Sequence, residues 1–214
     1  SCILEWAIAQ RNGLNPNNVI SFSSKTIPIL AVLRKNLLDQ KNTQILYTDP
    51  LPNSFDAEVL KNVYGYQFEL KKIGADEAAG VLEGSTIFIA QEDQISTIDL
   101  NPNVDFYITL HNPLGSILLV NGEHNERYIS EIQHVRRRET IAMTPANCLI
   151  ALQALIELTT FDIQHSNLAE NKARVLGSVK EITRAHTQAL VGSSGLSIQY
   201  AIMMGIVHHA QENY

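Results

Sequence analysis

The stretch VISFSSKTIPILAVLRKNLLDQKNTQILYT (residues 19–48) changes its hydrophobic period twice. VISFS (19–23) is a continuous apolar run, the pattern of a strand covered on both faces. An amphipathic helix follows over about 25–40, with Asp39 and Lys41 marking its polar end. TQILYT (43–48) returns to strand and is closed by Asp49-Pro50. Strand, helix and strand in this order make a parallel pair, because the chain needs a helix to carry it back.

The alternation continues outward. Ser54 is placed to cap SFDAEVLKNVYG (54–65), a helix that Gly65 ends. YQFELKK (66–72) reads as a strand, GADEAAGVLEG (74–84) as a short helix and STIFIA (85–90) as a fourth strand. Parallel order with right-handed crossovers follows. VDFYITL (104–110) and GSILLV (115–120) flank His111-Asn112-Pro113-Leu114-Gly115. Proline and glycine across that gap suit an antiparallel hairpin, the alternative being one strand and an irregular loop.

Upstream, SCILEWAIAQRNG (1–13) has Ile3, Leu4, Ala7 and Ile8 at helical spacing and Gly13 as a stop. A start without methionine fits its removal before serine, and equally a domain excised from a longer protein. From 123 onward the pattern is mostly helical, although 123–143 stays open between helix and strand. ERYISEIQHVRRRE (126–139) has Tyr128, Ile129, Ile132 and Val135 on one side. TPANCLIALQALIELTTF (144–161) opens with Thr144 as cap and Pro145 in the first turn. LAENKARVLGSVKEITRAHTQALVG (168–192) and GLSIQYAIMMGIVHHAQ (195–211) close the chain. The expected architecture is a Rossmann-like three-layer α/β domain with a mainly parallel sheet. Residues 1–122 would form its α/β core, and 123–214 a helical portion completing the same domain or making an interface. The last helix is apolar nearly all round, so a homodimer or a neighbouring domain is expected to cover 195–212.

The 214 residues, 45% hydrophobic and 18% charged, suffice for a large core without disulfides or metals. A net charge of −6 argues against a duplex nucleic-acid partner, and the run Arg136-Arg137-Arg138 is too short to reverse that. Cys2 and Cys148 form no disulfide framework, CxxC pair or zinc spacing, so a reducing cytosolic compartment is the default. No apolar stretch reaches the roughly 18 residues of a membrane helix.

In open α/β sheets, ligands sit beyond the carboxyl ends of the strands, where helix N-termini offer unpaired N–H groups. Ser23, Ser24, Lys25 and Thr26 stand at the first such end and suit a phosphate or carboxylate. Neither the Walker spacing nor G-x-G-x-x-G is present, and serine there also simply caps a helix. Asp49 closes the second strand, either as a ribose acceptor or a turn initiator. Glu92 follows the fourth strand as a ligand-binding carboxylate or a solvated loop residue. His111 and Asn112 end the fifth strand, the imidazole suited to acid/base work and the amide to carbonyl polarisation. Arg136, with Thr144 and Asn147 at the start of the next helix, makes a second anion candidate, the plainer alternative being a solvated helix end whose arginines pair with Glu131 and Glu139. Cys148 lies in the first turn of the 144–160 helix and is a candidate nucleophile or inert packing. His208 and His209 diverge by about 100° on a helix, so a metal site is not expected. These residues favour a cytosolic enzyme acting on a small phosphorylated, nucleotide or carboxylate metabolite, with the cofactor open. The alternative is a non-catalytic scaffolding or ligand-sensing domain of a larger protein.

Overall fold

The structure, a computed structural model, describes residues 1–74, 84–161, 168–184, 188–192 and 195–213. In chain order the elements are α1 (Cys2–Arg11), β1 (Val19–Phe22), α2 (Ile27–Leu38), β2 (Thr43–Tyr47), α3 (Ala57–Asn62), β3 (Phe68–Lys72), β4 (Ser85–Gln91), β5 (Phe106–His111), β6 (Gly115–Val120), α4 (Ile129–Glu139), α5 (Pro145–Glu157), α6 (Leu168–Thr183) and α7 (Gly195–Asn213). The strands form one mixed, mostly parallel sheet in the order β1-β6-β5-β4-β2-β3. β3, β2, β4 and β5 are parallel neighbours, while β5 and β6 form the antiparallel hairpin and β1 pairs antiparallel with β6. Two reversals cancel. β1 therefore runs with β5, and the carboxyl ends of β1, β2, β4 and β5 reach the same edge of the sheet.

Period-2 alternation assigns each strand residue to a face. Ile20, Phe22, Ile45, Ile87, Ile89 and Ile108 point to one side, where Ile29, Val32 and Leu33 of α2 and Ile132 and Val135 of α4 cover them. Val19, Tyr107, Ile117 and Leu119 point to the other, packed by Leu4 and Ile8 of α1 and Cys148, Ala151 and Leu155 of α5. The domain thus has the three-layer α/β architecture expected from the alternation. A buried polar chain crosses the first layer: the Tyr128 hydroxyl donates to Asn36 Oδ1 at 2.6 Å, and Asn36 Nδ2 to Thr43 Oγ1 at 2.8 Å. It satisfies groups whose burial would otherwise be costly.

Gly115 is required where the hairpin meets β1. Its φ is +136°, and a Cβ there would run into the Phe22 carbonyl oxygen.

Several local expectations change. Ser54 does not cap α3; Asp56 does, its Oδ1 accepting from the Glu58 and Val59 N–H groups at 3.0 Å. The helix expected over 74–84 lies almost wholly outside the described residues. Over 123–139 the chain is helical, a 3₁₀ turn (Glu123–Tyr128) leading into α4, and 140–143 is irregular. The buried face of α1 is Leu4, Glu5, Ile8 and Ala9, with Ile3 exposed. Glu139 pairs with Arg34 of α2, each terminal guanidinium nitrogen meeting one carboxylate oxygen. The fork geometry of Arg suits a bidentate pair between helices.

Among the described residues, α7 is covered along part of its surface. α7 packs on α4. Tyr200 lies 5.9 Å from Tyr64 between ring centroids and carries the Arg34 guanidinium over its face at 5.2 Å. Ile202, Met203 and Ile206 stay more than half exposed.

Candidate anion-binding edge

At the carboxyl edge, Ser24 answers the question raised by its segment. Its Oγ accepts from the Thr26 and Ile27 N–H groups at 3.2 and 3.1 Å, so it builds the turn that opens α2. Its carbonyl accepts from Ser116 Oγ at 2.6 Å. Ser23 is also engaged: its Oγ donates to the Ile141 carbonyl and shares a hydrogen bond with Thr140 Oγ1, each at 3.2 Å. Thr26 Oγ1 bonds Ser54 Oγ at 2.5 Å, tying α2 to the loop after β2. The hydroxyls build the turn, and Lys25 is left pointing over the edge.

A cleft of about 430 Å³ opens there, lined by Lys25, Leu51, Asn53, Ser54, Gln91 and Leu110, with Pro50 and Pro52. Lys25 Nζ donates to Asn112 Oδ1 at 3.3 Å. Asp49 stands beside the cleft, its Oδ2 accepting from Thr48 Oγ1 at 2.8 Å and from the Gln91 N–H at 3.3 Å. Lys25, Asn112 and Asp49 thus meet at one edge although their strands are not adjacent.

The other candidates are placed differently. His111 faces the opposite side of the sheet from Leu110, with 2% of its surface exposed. Its Nδ1 lies 3.1 Å from the Glu92 carbonyl and its Nε2 2.9 Å from Thr109 Oγ1. A carbonyl can only accept, so Nδ1 carries the proton and Nε2 accepts from the threonine. Burial pushes the imidazole down to about 4, leaving it neutral near pH 7. Phe161 meets the ring edge-on at 5.3 Å. Glu92 falls on this same face, with Phe88 and Ala90, and lines a separate cavity.

Arg136 closes the sheet instead of facing the cleft. β1 is an edge strand, and the outward groups of Ser21 have no strand to pair with. Glu5 Oε1 accepts from the Ser21 N–H at 2.9 Å and from Ser21 Oγ at 2.7 Å. Arg136 Nη1 donates to the Ser21 carbonyl at 3.2 Å and to Glu5 Oε1 at 2.6 Å, while Nη2 donates to Gln133 Oε1 at 2.7 Å. One position further, the Ser23 N–H donates to the Ile141 carbonyl at 3.1 Å. An ion pair and a loop therefore stand where another strand would pair, a protection edge strands need. Sequence reasoning missed Glu5. The signal was a lone carboxylate on an otherwise apolar helix face.

Thr144 caps α5, accepting from the Asn147 N–H at 3.3 Å, and Asn147 Nδ2 donates to the Leu114 carbonyl at 2.9 Å, holding the β5–β6 turn. Cys148 is buried in the α5 layer with its thiol toward the Met143 carbonyl at 3.4 Å. Among the described residues no cluster of three or more metal-binding side chains occurs, and no helix is long and apolar enough to cross a membrane.

No protein-family model matches the chain, nor does any curated protein sequence. Solved structures similar to it include a candidate L-allo-threonine aldolase from Listeria monocytogenes, 13% identical over 86% of this chain and 62% of that one, TM-score 0.46. A Methanococcus jannaschii protein similar in its active site to kynurenine aminotransferases is 12% identical over 86% of this chain and 59% of that one, TM-score 0.44. The α-aminoadipate aminotransferase of Thermus thermophilus is 9% identical over 74% and 54%, TM-score 0.42. The chain spans less than two thirds of the length of each. With likenesses this loose, the functional reading rests on the chain's own residues.

Proposed function

We propose that the protein binds a small anionic metabolite, a phosphate ester, nucleotide or carboxylate, in the cleft at the carboxyl edge of the sheet. The observation that carries this is Lys25, an ammonium at the mouth of a 430 Å³ cleft whose hydrogen-bond partner is a neutral amide rather than a carboxylate. Asn112, Asn53 and Ser54 offer further polar groups around it. Asp49 on the rim disfavours highly charged anions and suits a ligand that also carries hydroxyls.

Titrating inorganic phosphate, adenosine monophosphate, glycerol phosphate and succinate by calorimetry tests this. At least one should bind in a salt-sensitive way, and Lys25→Ala should weaken it about tenfold or more, the value of one lost charge-assisted hydrogen bond. Equal behaviour of the two proteins would leave the segment as a helix start alone.

The positions of His111 and Cys148 favour ligand sensing or scaffolding over turnover. Both sit in the layer on the far side of the sheet from the cleft, the imidazole neutral and doubly bonded. Self-association belongs to the same reading. α7 presents Ile202, Met203 and Ile206, and the segment before it Leu190 and Val191, all more than half exposed. Large apolar side chains left exposed on one helix suit an interface. Light scattering over a concentration series should show a dimer that Met203→Glu dissociates; a wild type monomeric at every concentration would refute it.

A further inference from the structure

The sheet has a second cavity, on the face opposite Lys25. It measures about 320 Å³ and lies between β4, β5 and the strap that joins them. Phe88, Ala90 and Glu92 line it from β4 and its extension, Tyr107 and Thr109 from β5, and Ser96 to Asp99 with Asn101 from the strap. The strap is irregular yet anchored: Ile95 and Val104 are buried, the Ile98 N–H donates to Asn12 Oδ1 at 2.8 Å, and Arg11 Nε donates to Thr97 Oγ1 at 3.1 Å. These contacts tie the strap to α1.

Its charged groups share one sign, among neutral Ser96, Thr97 and Asn101. The ionisable groups of known sign among its described lining residues, Glu92 and Asp99, are both carboxylates. The Thr109 hydroxyl donates to His111 Nε2, because the other ring nitrogen is committed to the Glu92 carbonyl, so its oxygen is left with acceptor capacity. The Tyr107 hydroxyl accepts from the Asn101 N–H at 2.6 Å and directs its proton to the Asp99 carbonyl at 3.4 Å. Phe88, Ala90, Ile98 and Val104 add apolar walls. Two carboxylates and the acceptor oxygen of Thr109 beside apolar walls suit a donor-rich cation on a hydrophobic frame.

We infer that this cavity binds a small primary amine with an apolar body, its ammonium held by Glu92 and Thr109. Burial, with Asp93 and Asp49 nearby, pushes the Glu92 carboxyl up, the sign of a carboxylate short of positive charge. The site is independent of the Lys25 cleft, since neighbouring residues of β4 and β5 point to opposite faces.

Ligand-observed NMR and calorimetry with 2-phenylethylamine and its neutral isostere 2-phenylethanol test the assignment. The amine should bind saturably and at least tenfold more tightly than the alcohol. Glu92→Gln should reduce it to the level of the alcohol. Ser96→Trp, at an exposed rim position that leaves the core intact, should block both probes. Lys25→Ala should leave amine binding unchanged, and Ser96→Trp should leave phosphate binding unchanged, so failure of one site is distinguishable from failure of the other. Equal affinity for amine and alcohol would overturn the inference, as would amine binding that survives both Glu92→Gln and Ser96→Trp.

Discussion

Replacing Glu5 by alanine is expected to cost about 3–5 kcal/mol of stability, the range for removing one partner of a buried ion pair. The Glu5 and Arg136 side chains are 9% and 15% exposed. Without the carboxylate, Ser21 loses the acceptor for both its N–H and its hydroxyl, and the guanidinium stays in a poorly solvated place. Desolvation of an unpaired buried group, rather than loss of mutual attraction, dominates the loss. Urea unfolding measures the shift. The double variant Glu5→Ala with Arg136→Met should cost clearly less than the sum of the two singles, because the stranded charge is gone. A second readout concerns the edge itself. With the outer side of β1 uncovered, the variant should form aggregates faster than a core variant of equal stability. A change in urea midpoint worth less than about 0.5 kcal/mol would show that the pair is decorative.

His111 should make the fold acid-sensitive over a defined window. In the unfolded chain the imidazole takes up a proton near 6.5, whereas burial in the fold delays this to about 4. The unfolded state therefore binds the proton first, and stability falls as pH falls between those values. Above pH 6.5 the contribution is complete. By pH 4 the difference amounts to about 3 kcal/mol. Carboxylates titrate over part of the same range, so the informative quantity is wild type against His111→Gln, which keeps a donor for the Glu92 carbonyl. The stability difference between the two should move by about 3 kcal/mol in favour of the variant from pH 7 to pH 4. If it is flat with pH, the ring meets water and is not the sealed, proton-bearing strut that positions Thr109.

Much of the fold was legible because its information is local. Apolar runs punctuated by Asp49-Pro50, Gly65 and the Pro113–Gly115 turn specify strands and crossings, and each strand found lies within or beside its expected run. The α5 start was readable from Thr144 and Pro145 for the same reason, a cap being a contact between residues three apart. The candidate site was legible only as a set of strand ends. Ser24, Lys25, Asp49, Glu92, His111 and Asn112 all end strands or follow them, and the topology brings every one toward a single edge. Which of them shares a pocket turns on strand register and face. Gln91 and Leu110 line the cleft with Lys25, whereas Glu92 and His111, one residue further on, turn to the opposite layer.

The sequence by itself determined the alternation of strand and helix, the apolar filling of both sheet faces and the presence of hydroxyl and charged groups at the strand ends, since period and capping act within a few residues. Tertiary structure decided the rest. It set β1 beyond the hairpin, made Glu5 and Arg136 the substitute for a missing strand and spent the Ser23 and Ser24 hydroxyls on turns. It also sealed His111 between Thr109 and the Glu92 carbonyl. Each of these depends on partners far apart along the chain, as with Glu5 and Arg136. Whether a polar side chain meets ligand, backbone or counter-charge is fixed by what packing leaves beside it, and no local pattern encodes that.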